Sequence, residues 1–200
     1  MKIEVWSDVV CPWCYVGKRQ LERALESFEA TDGVDVEVVF RAFELDPNGP
    51  RRREGRYIDR LARKYGTDAA RATGMIDRMV SAGAAVGIDL RFDIIQPGNS
   101  FDAHRVLHLA RELGMQKKVK ERLMRGLFTE GEAIGDPHTI ARLAVDAGLP
   151  EARVVEVLSG AEYGLEVRQD EVEAAELGIT GVPFMLVDRR YAIRGAQPPD

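Results

Sequence analysis

The chain has 200 residues, 45% of them hydrophobic and 30% charged, the size and balance of one globular domain or of one domain carrying a large insertion. Its formal net charge of -5 argues against nucleic acid as a partner, because phosphate binding needs a positive field. No apolar run is long enough to span a membrane, and Met1 to Trp6 lacks the apolar core and cleavage site of a signal peptide. A cytoplasmic protein with no membrane association is therefore expected.

Ile3 to Trp6 reads as a buried strand that begins at once. Ser7 to Val10 is a loop. From Tyr15 to Glu29 the apolar residues Leu21, Leu25 and Phe28 recur at helical spacing. Gly33 supplies a break. Val34, Val36 and Val38 then alternate with Asp35 and Glu37, the period of a second strand that runs on toward Phe43. Leu45-Asp46-Pro47-Asn48-Gly49-Pro50 is a dense turn signal. The basic cluster that follows, Arg51-Arg52-Arg53 with Arg56, reads first as a solvated loop and helix start; its sharper reading is a contact for an anion.

From about Arg53 to Leu177 the pattern is helical. Candidate helices cover 55–65, 68–86, 101–113, 117–128, 138–147, 151–158 and 162–177. Gly66, Gly87, Gly114, Gly131, Gly148 and Gly178 fall near their ends, where a left-handed residue terminates a helix. Asn99 or Ser100 can cap the third helix, and Asp136-Pro137 can open the fifth. Ile88 to Ile94 reads as loop. After Gly178 the strand period returns in Phe184 to Val187 and Tyr191 to Arg194, a hairpin across Asp188-Arg189-Arg190. This order describes an α/β fold whose first three elements make a right-handed crossover. The two halves, 1–45 and 178–200, enclose an all-helical insertion, 46–177. Gly195 to Asp200 looks like a loop leading into a helix, so a C-terminal helix is expected to be absent from the chain.

The only two cysteines are Cys11 and Cys14, in Cys11-Pro12-Trp13-Cys14 at a strand-to-helix junction. That is the pattern of a thiol–disulfide redox site. A helix N-terminus favours a negative sulfur at Cys11, Pro12 suits the first helical position, and Cys14 can reach Cys11 from the same face. Asp8 would oppose the thiolate if its carboxylate pointed at the sulfur. Two small core residues are the plain alternative, but one that needs both to sit at the junction by accident. His104 and His108, four apart, could join the cysteines around zinc, but Arg105 breaks the metalloprotease helix pattern and no metal is expected. Far along the chain, Gly178-Ile179-Thr180-Gly181-Val182-Pro183-Phe184 places a proline directly before a strand. A cis bond and an ordinary trans proline are both open there.

Cys11-Pro12-Trp13-Cys14-Tyr15-Val16-Gly17-Lys18, with Thr180-Gly181-Val182-Pro183-Phe184, resembles the DsbA family of thioredoxin-fold oxidoreductases, and its FrnE-like branch most closely. Asn99 to Arg105 and Gly131 to Asp136 resemble motifs of that branch's insert. The resemblance implies a thioredoxin-like fold with a mixed sheet and a large helical insertion. It implies a protein-disulfide oxidoreductase or isomerase working through a mixed disulfide at Cys11 that Cys14 resolves. Pro12, Trp13, Val182, Pro183 and His104 would support the site. Val182–Pro183 would be cis and packed against Cys11, Val182 would offer backbone hydrogen bonds to an extended substrate, and His104 would face the groove. Partners would be protein or small-molecule thiols and disulfides. There would be no resident cofactor, glutathione is a candidate co-substrate, and a homodimer is open. The alternative is a glutathione-dependent isomerase or transferase, of the 2-hydroxychromene-2-carboxylate isomerase or kappa-class kind, acting on a small aromatic or polyketide substrate. In that related branch the first cysteine position is usually serine, so the presence of both cysteines favours dithiol chemistry.

Overall fold

The structure is a computed structural model that describes residues 1–33 and 35–198. Val34, the expected first residue of the second strand, lies outside the described residues, as do Pro199 and Asp200. Four strands form one mixed sheet: β1 (Lys2–Ser7), β2 (Glu37–Ala42), β3 (Phe184–Val187) and β4 (Tyr191–Arg194), in the order β2-β1-β3-β4. β2 runs parallel to β1, while β3 is antiparallel to both β1 and β4. α1 (Pro12–Asp32) makes the crossover between the parallel pair. Between β2 and β3 the chain forms α2 (Tyr57–Tyr65), α3 (Ala69–Ala85), α4 (Phe101–Glu112), α5 (Gln116–Phe128), α6 (Pro137–Asp146), α7 (Glu151–Ser159) and α8 (Gly164–Glu176).

The helices fall where periodicity and glycines place them. All six glycines singled out as terminators have positive φ. Asp136 accepts from the backbone N–H groups of His138 and Thr139, with Pro137 opening α6. At α4 the cap is divided: Ser100 holds the cap position without a side-chain bond, and Asn99 Oδ1 accepts from Phe101 N at 3.0 Å. Most boundaries differ from the sequence reading by a residue or two, and the largest shifts are at α1 and β2. α1 begins at Pro12, three residues before Tyr15, because proline is already preset for a first helical position. β2 begins only at Glu37, although Val36 is buried.

Alternation along β1 sorts the sheet's two faces. Ile3 and Val5, with Phe40 and Met185, pack under Leu21, Leu25 and Phe28 of α1. On the other face Trp6 and Phe184 pack with Ala174 of α8 and Ile179, and Trp6 Nε1 donates to Asp170 O at 3.0 Å. The free edge of β2 is closed by side chains of the helical block. The Gln116 amide accepts from Phe40 N at 2.9 Å and donates to Phe40 O at 2.8 Å, and Asp170 accepts from Ala42 N at 2.8 Å. An exposed strand edge is a template for wrong pairing, and here two helices cover it.

The largest apolar cluster crosses from the sheet half into the helices. Val9, Cys11, Cys14, Tyr15 and Val16 share it with buried residues of α3 to α7. Glu121 of α5 strengthens the joint by accepting from Tyr15 Oη at 2.7 Å and Lys18 Nζ at 2.6 Å, and it pairs with Arg19.

The segment between β2 and α2 is held by absence of side chain. The Arg51 carbonyl lies so near Gly98 and Gly135 that a Cβ on either would stand 1.9 or 1.7 Å from its oxygen. Asn99 N donates to Pro50 O at 3.0 Å and Asn99 Nδ2 to Pro47 O at 3.2 Å. The clash is with backbone, which has no rotamer to change. Gly135→Ala should therefore destabilise the fold by about 3 kcal/mol, read as a lowered midpoint in urea unfolding, whereas Gly74→Ala, whose Cβ meets nothing within 4 Å, should not.

Candidate active site

The loop between β1 and α1 is shaped by Asp8. Its carbonyl accepts from Cys11 N at 3.3 Å, and its Oδ1 accepts from Val10 N at 3.2 Å, the short side-chain turn that aspartate makes two residues on. The loop delivers Cys11 to the start of α1. Cys14 N lies 3.1 Å from Cys11 O and 3.3 Å from Cys11 Sγ, so a helix-start N–H faces the first sulfur. Both cysteines are free thiols in this structure.

The two sulfurs are not equivalent. Cys11 lines a cavity of about 960 Å³, together with Pro12, Trp13 and Val182. Cys14 does not line it and is 1% exposed. Burial pushes the Cys14 thiol well above the ordinary thiol range, and the neighbouring Cys11 pushes it the same way. Trp13, between them in sequence, lines the cavity and is 39% exposed. Opposite, the Val182–Pro183 bond is cis, and Cys11 Sγ donates to Val182 O at 3.8 Å. Gly17, one helical turn beyond Cys14, makes room for the proline ring: a Cβ there would lie 2.9 Å from Pro183 Cγ. Residues some 170 apart in sequence thus meet across the first turn of α1.

His104 is 2% exposed and does not line the cavity. It stands behind Asp8, with Nε2 3.4 Å from Asp8 Oδ1. The implied groove-facing position is replaced by contact through an intermediary, because the buried carboxylate is the nearer acceptor. His108 turns to a different carboxylate, Asp170, at 3.1 Å. The two histidines therefore do not converge on the cysteines. Asp8 itself is fully buried. Burial raises its pKa, but the nearby His104, the Leu45 backbone N–H and the Ser100 side chain outweigh that and hold it below the usual carboxylate value. Both oxygens are occupied, Oδ2 by Leu45 N at 2.8 Å, so Asp8 organises the loop that carries the sulfur.

Several site residues carried no signal read from the sequence. Tyr57 of α2 lines the cavity across from Cys11; burial raises its pKa, and the Cys11 charge adds to the rise. The same wall carries Arg53, Arg60, Arg63, Lys64 and Arg78 against two carboxylates, Asp8 and Asp46. Arg53 pairs with Asp46. Arg60, Arg63, Lys64 and Arg78 have no carboxylate within ion-pair reach among the described residues. Arg60 donates instead to the carbonyls of Glu54 and Gly55, and burial and the charges of Arg53 and Arg63 lower its pKa. The conspicuous cluster 51–56 is mostly engaged elsewhere, Arg51 with Asp102 and Arg56 with Asp59. Lys120 of α5, fully buried, is another residue the sequence reading passed over. It falls in the apolar stripe of Val119, Leu123, Met124 and Leu127, and that position was the available signal.

A mixed sheet with a Cys-x-x-Cys pair at the first helix and a cis-proline beside it defines a thioredoxin-fold dithiol protein. Residues 2–200 match the model of the DSBA-like thioredoxin domain, and the chain belongs to that family. It is similar to the "probable DsbA oxidoreductase" of Streptomyces coelicolor, at 43% identity and a TM-score of 0.92, covering 100% of this chain and 85% of that one. It is 28% identical over 188 residues to an uncharacterised protein of Bacillus subtilis, YwbO, covering 92% of this chain and 86% of that one. In fold it is also similar to the cytosolic disulfide reductase DsbM of Pseudomonas aeruginosa, solved with glutathione, at 16% identity and a TM-score of 0.68, over 96% and 89% of the two chains.

Asp8 gives a pH prediction. A carboxylate held below its unfolded value contributes stability that is fully present above that value and is lost as pH falls through the folded one. The wild type should therefore lose stability as pH drops below about 3.8. Asp8→Asn should cost about 3 kcal/mol at neutral pH and flatten the acid limb, both measurable by urea titration across pH.

Proposed function

We propose that the chain is a thiol–disulfide oxidoreductase in which Cys11 is the attacking sulfur and Cys14 the resolving one. The observation that carries this reading is the asymmetry of the pair. Cys11 opens onto the groove beside the cis-proline, while Cys14 is sealed behind it. A thiolate at Cys11 attacks a substrate disulfide and releases one thiolate. Cys14 then attacks Cys11 Sγ in the mixed disulfide, releasing the second thiolate and leaving the Cys11–Cys14 disulfide. The reverse sequence oxidises a dithiol. The Val182 carbonyl, presently met by the Cys11 thiol, is placed to pair with an extended substrate backbone, and Trp13 and Tyr57 supply apolar contact.

The cationic wall favours a second feature within the same chemistry, a substrate or co-substrate that is anionic. Glutathione, with two carboxylates, is of that class, so glutathione exchange at Cys11 fits this groove as well as a peptide does. No helix among the described residues is long and apolar enough to cross a membrane, and a cytosolic setting belongs to the same proposal.

Two measurements test this. Cys11→Ser should abolish insulin reduction and dithiol oxidation, while Cys14→Ser should accumulate a mixed disulfide visible by mass spectrometry. A Cys11→Ser variant that keeps its activity would sink the assignment. For the groove, Arg60→Ala with Arg63→Ala should slow reaction of the reduced protein with oxidised glutathione about tenfold and barely change reaction with neutral hydroxyethyl disulfide. Equal slowing of both would remove the cationic wall from recognition.

A further inference from the structure

Arg60, Arg63 and Lys64 of α2 and Arg78 of α3 line the cavity with Cys11, and the partners they have leave their charge free. Arg60 donates through Nη1 to the carbonyls of Glu54 and Gly55, and its guanidinium carbon lies 5.7 Å from the Tyr57 ring centroid. Arg63 Nε donates to Asp59 O at 3.4 Å, while the Asp59 carboxylate goes to Arg56. Lys64 Nζ lies 5.9 Å from the Tyr65 ring centroid. Carbonyls and ring faces hold a cation in place without cancelling it. Arg63 and Lys64 fall in the last turn of α2, where cations complement the helix dipole. Arg60 and Arg78 stand outside the last turns of their helices, so the dipole does not account for the set. Like charges three and four residues apart on one helix repel, a cost that a bound anion would relieve.

The wall has a direction. The ring of Tyr57, the first residue of α2, lies 4.8 Å from that of Phe92; Phe92 meets Phe128 at 6.4 Å, and Phe128 meets Tyr15 at 6.1 Å. This chain of rings ties the N-terminal end of α2 to the first turn of α1, which carries the cysteines. From Tyr57 the helix climbs about 1.5 Å per residue, so Arg60 stands about 4.5 Å and Lys64 about 10 Å farther along its axis. An anion held there is joined to a sulfur at Cys11 through an arm. The cavity, about 960 Å³, is at the large end of the range of about 300–1,000 Å³ for small-ligand sites and has room for one. The amount of charge then selects the anion. Glutathione carries a net charge of about -1 at neutral pH and leaves most of the wall unanswered. A phosphate monoester carries about -1.5 to -2, and the guanidinium fork of arginine matches phosphate oxygens in pairs.

We infer that the site takes the disulfide of a phosphorylated low-molecular-weight thiol, its sulfur brought to Cys11 on a neutral arm and its phosphates lying along α2 against Arg60, Arg63 and Lys64. The inference rests on reading Cys11 as the attacking sulfur. The Cys11 thiolate forms a bond to one substrate sulfur; the substrate S–S bond breaks and its electron pair leaves on the first phosphorylated thiol. The Cys14 thiolate then forms the Cys11–Cys14 bond, and the second phosphorylated thiol leaves with the electron pair of the mixed disulfide. The protons of the two cysteine thiols end on the two products. The protein dithiol is oxidised and the substrate disulfide is reduced.

The test compares coenzyme A disulfide, which carries phosphates beyond a neutral arm, with pantethine, the disulfide of that arm without them. Each is mixed at low salt with the reduced protein in single turnover, and released thiol is measured after acid quench. Coenzyme A disulfide should react about tenfold faster or more, and the ratio of the two rates should fall toward one as salt is raised. In the double variant Arg63→Gln with Lys64→Gln, both exposed, the ratio should fall by about threefold or more. Equal rates in the wild type, or an unaltered ratio in the variant, overturn the inference. So does faster reaction with oxidised glutathione or with the disulfide of an acidic cysteine peptide, which would give the wall to carboxylates. Those results leave the oxidoreductase reading standing. Release of thiol from none of the four probes removes that reading, and this inference with it.

Discussion

One buried carboxylate holds the site together. Asp8, with no exposed surface, is touched from three separate stretches: Val10 and Cys11 in its own loop, Leu45 after β2, and His104 with Ser100 at α4. The contacts to Leu45 and His104 close long sequence separations. Together they fix where β1 hands the chain to α1, and therefore where Cys11 emerges. A charge in such a place is tolerable only while fully solvated by protein donors. Removing one donor leaves a buried carboxylate with one hydrogen bond fewer, at a cost of about 1–3 kcal/mol.

The same economy explains why the helical block is more than a lid. The inner faces of Cys11 and Cys14 belong to its apolar core rather than to the sheet's. Glu121 binds Tyr15, Lys18 and Arg19 from α1, and Tyr15 stacks on Phe128 at 6.1 Å between centroids. The strand edge at β2 is finished by Gln116 and Asp170. The sheet positions the first turn of α1, and the helices determine what the second sulfur feels. A Cys14 surrounded by solvent would ionise easily and attack easily. Surrounded by α5 and its neighbours, its reactivity depends on whichever charges that helix brings.

Much of this was legible in the sequence, and the reasons are local. Six glycines with positive φ mark helix ends because no side chain competes for that conformation. Cys11 and Cys14 mark themselves by spacing as a candidate redox pair, and the strand-and-helix order follows from periodicity. What was not legible depends on three-dimensional neighbours. Asp8 reads in sequence as a charge near a sulfur and therefore as a hindrance; its actual partners come from residues 45, 100 and 104. Lys120 looks like one of several lysines at the start of a helix, and only its place in the apolar stripe distinguishes it. The arginine cluster 51–56 drew the eye because it is contiguous, yet its members are largely neutralised by Asp46, Asp59 and Asp102.

The charge of the whole chain and the charge of its groove have opposite signs, and the pairing pattern shows why. Away from the groove several arginines sit in paired clusters: Arg41 with Glu4 and Asp170, Arg105 with Asp102, Arg122 with Glu130 and Asp146, Arg168 with Glu44 and Glu171, Arg189 with Glu4 and Glu173. The carboxylates left over are spread across the surface and give the net -5. Along α2 and α3, Arg60, Arg63, Lys64 and Arg78 have no carboxylate within ion-pair reach among the described residues. With a screening length of about 8 Å at physiological ionic strength, a substrate approaching Cys11 feels those near charges and little of the distant excess. Net charge therefore bears on which macromolecules the protein avoids as a whole, whereas on the proposed reading the sign of its substrate is set by the few charged residues that line the groove with Cys11.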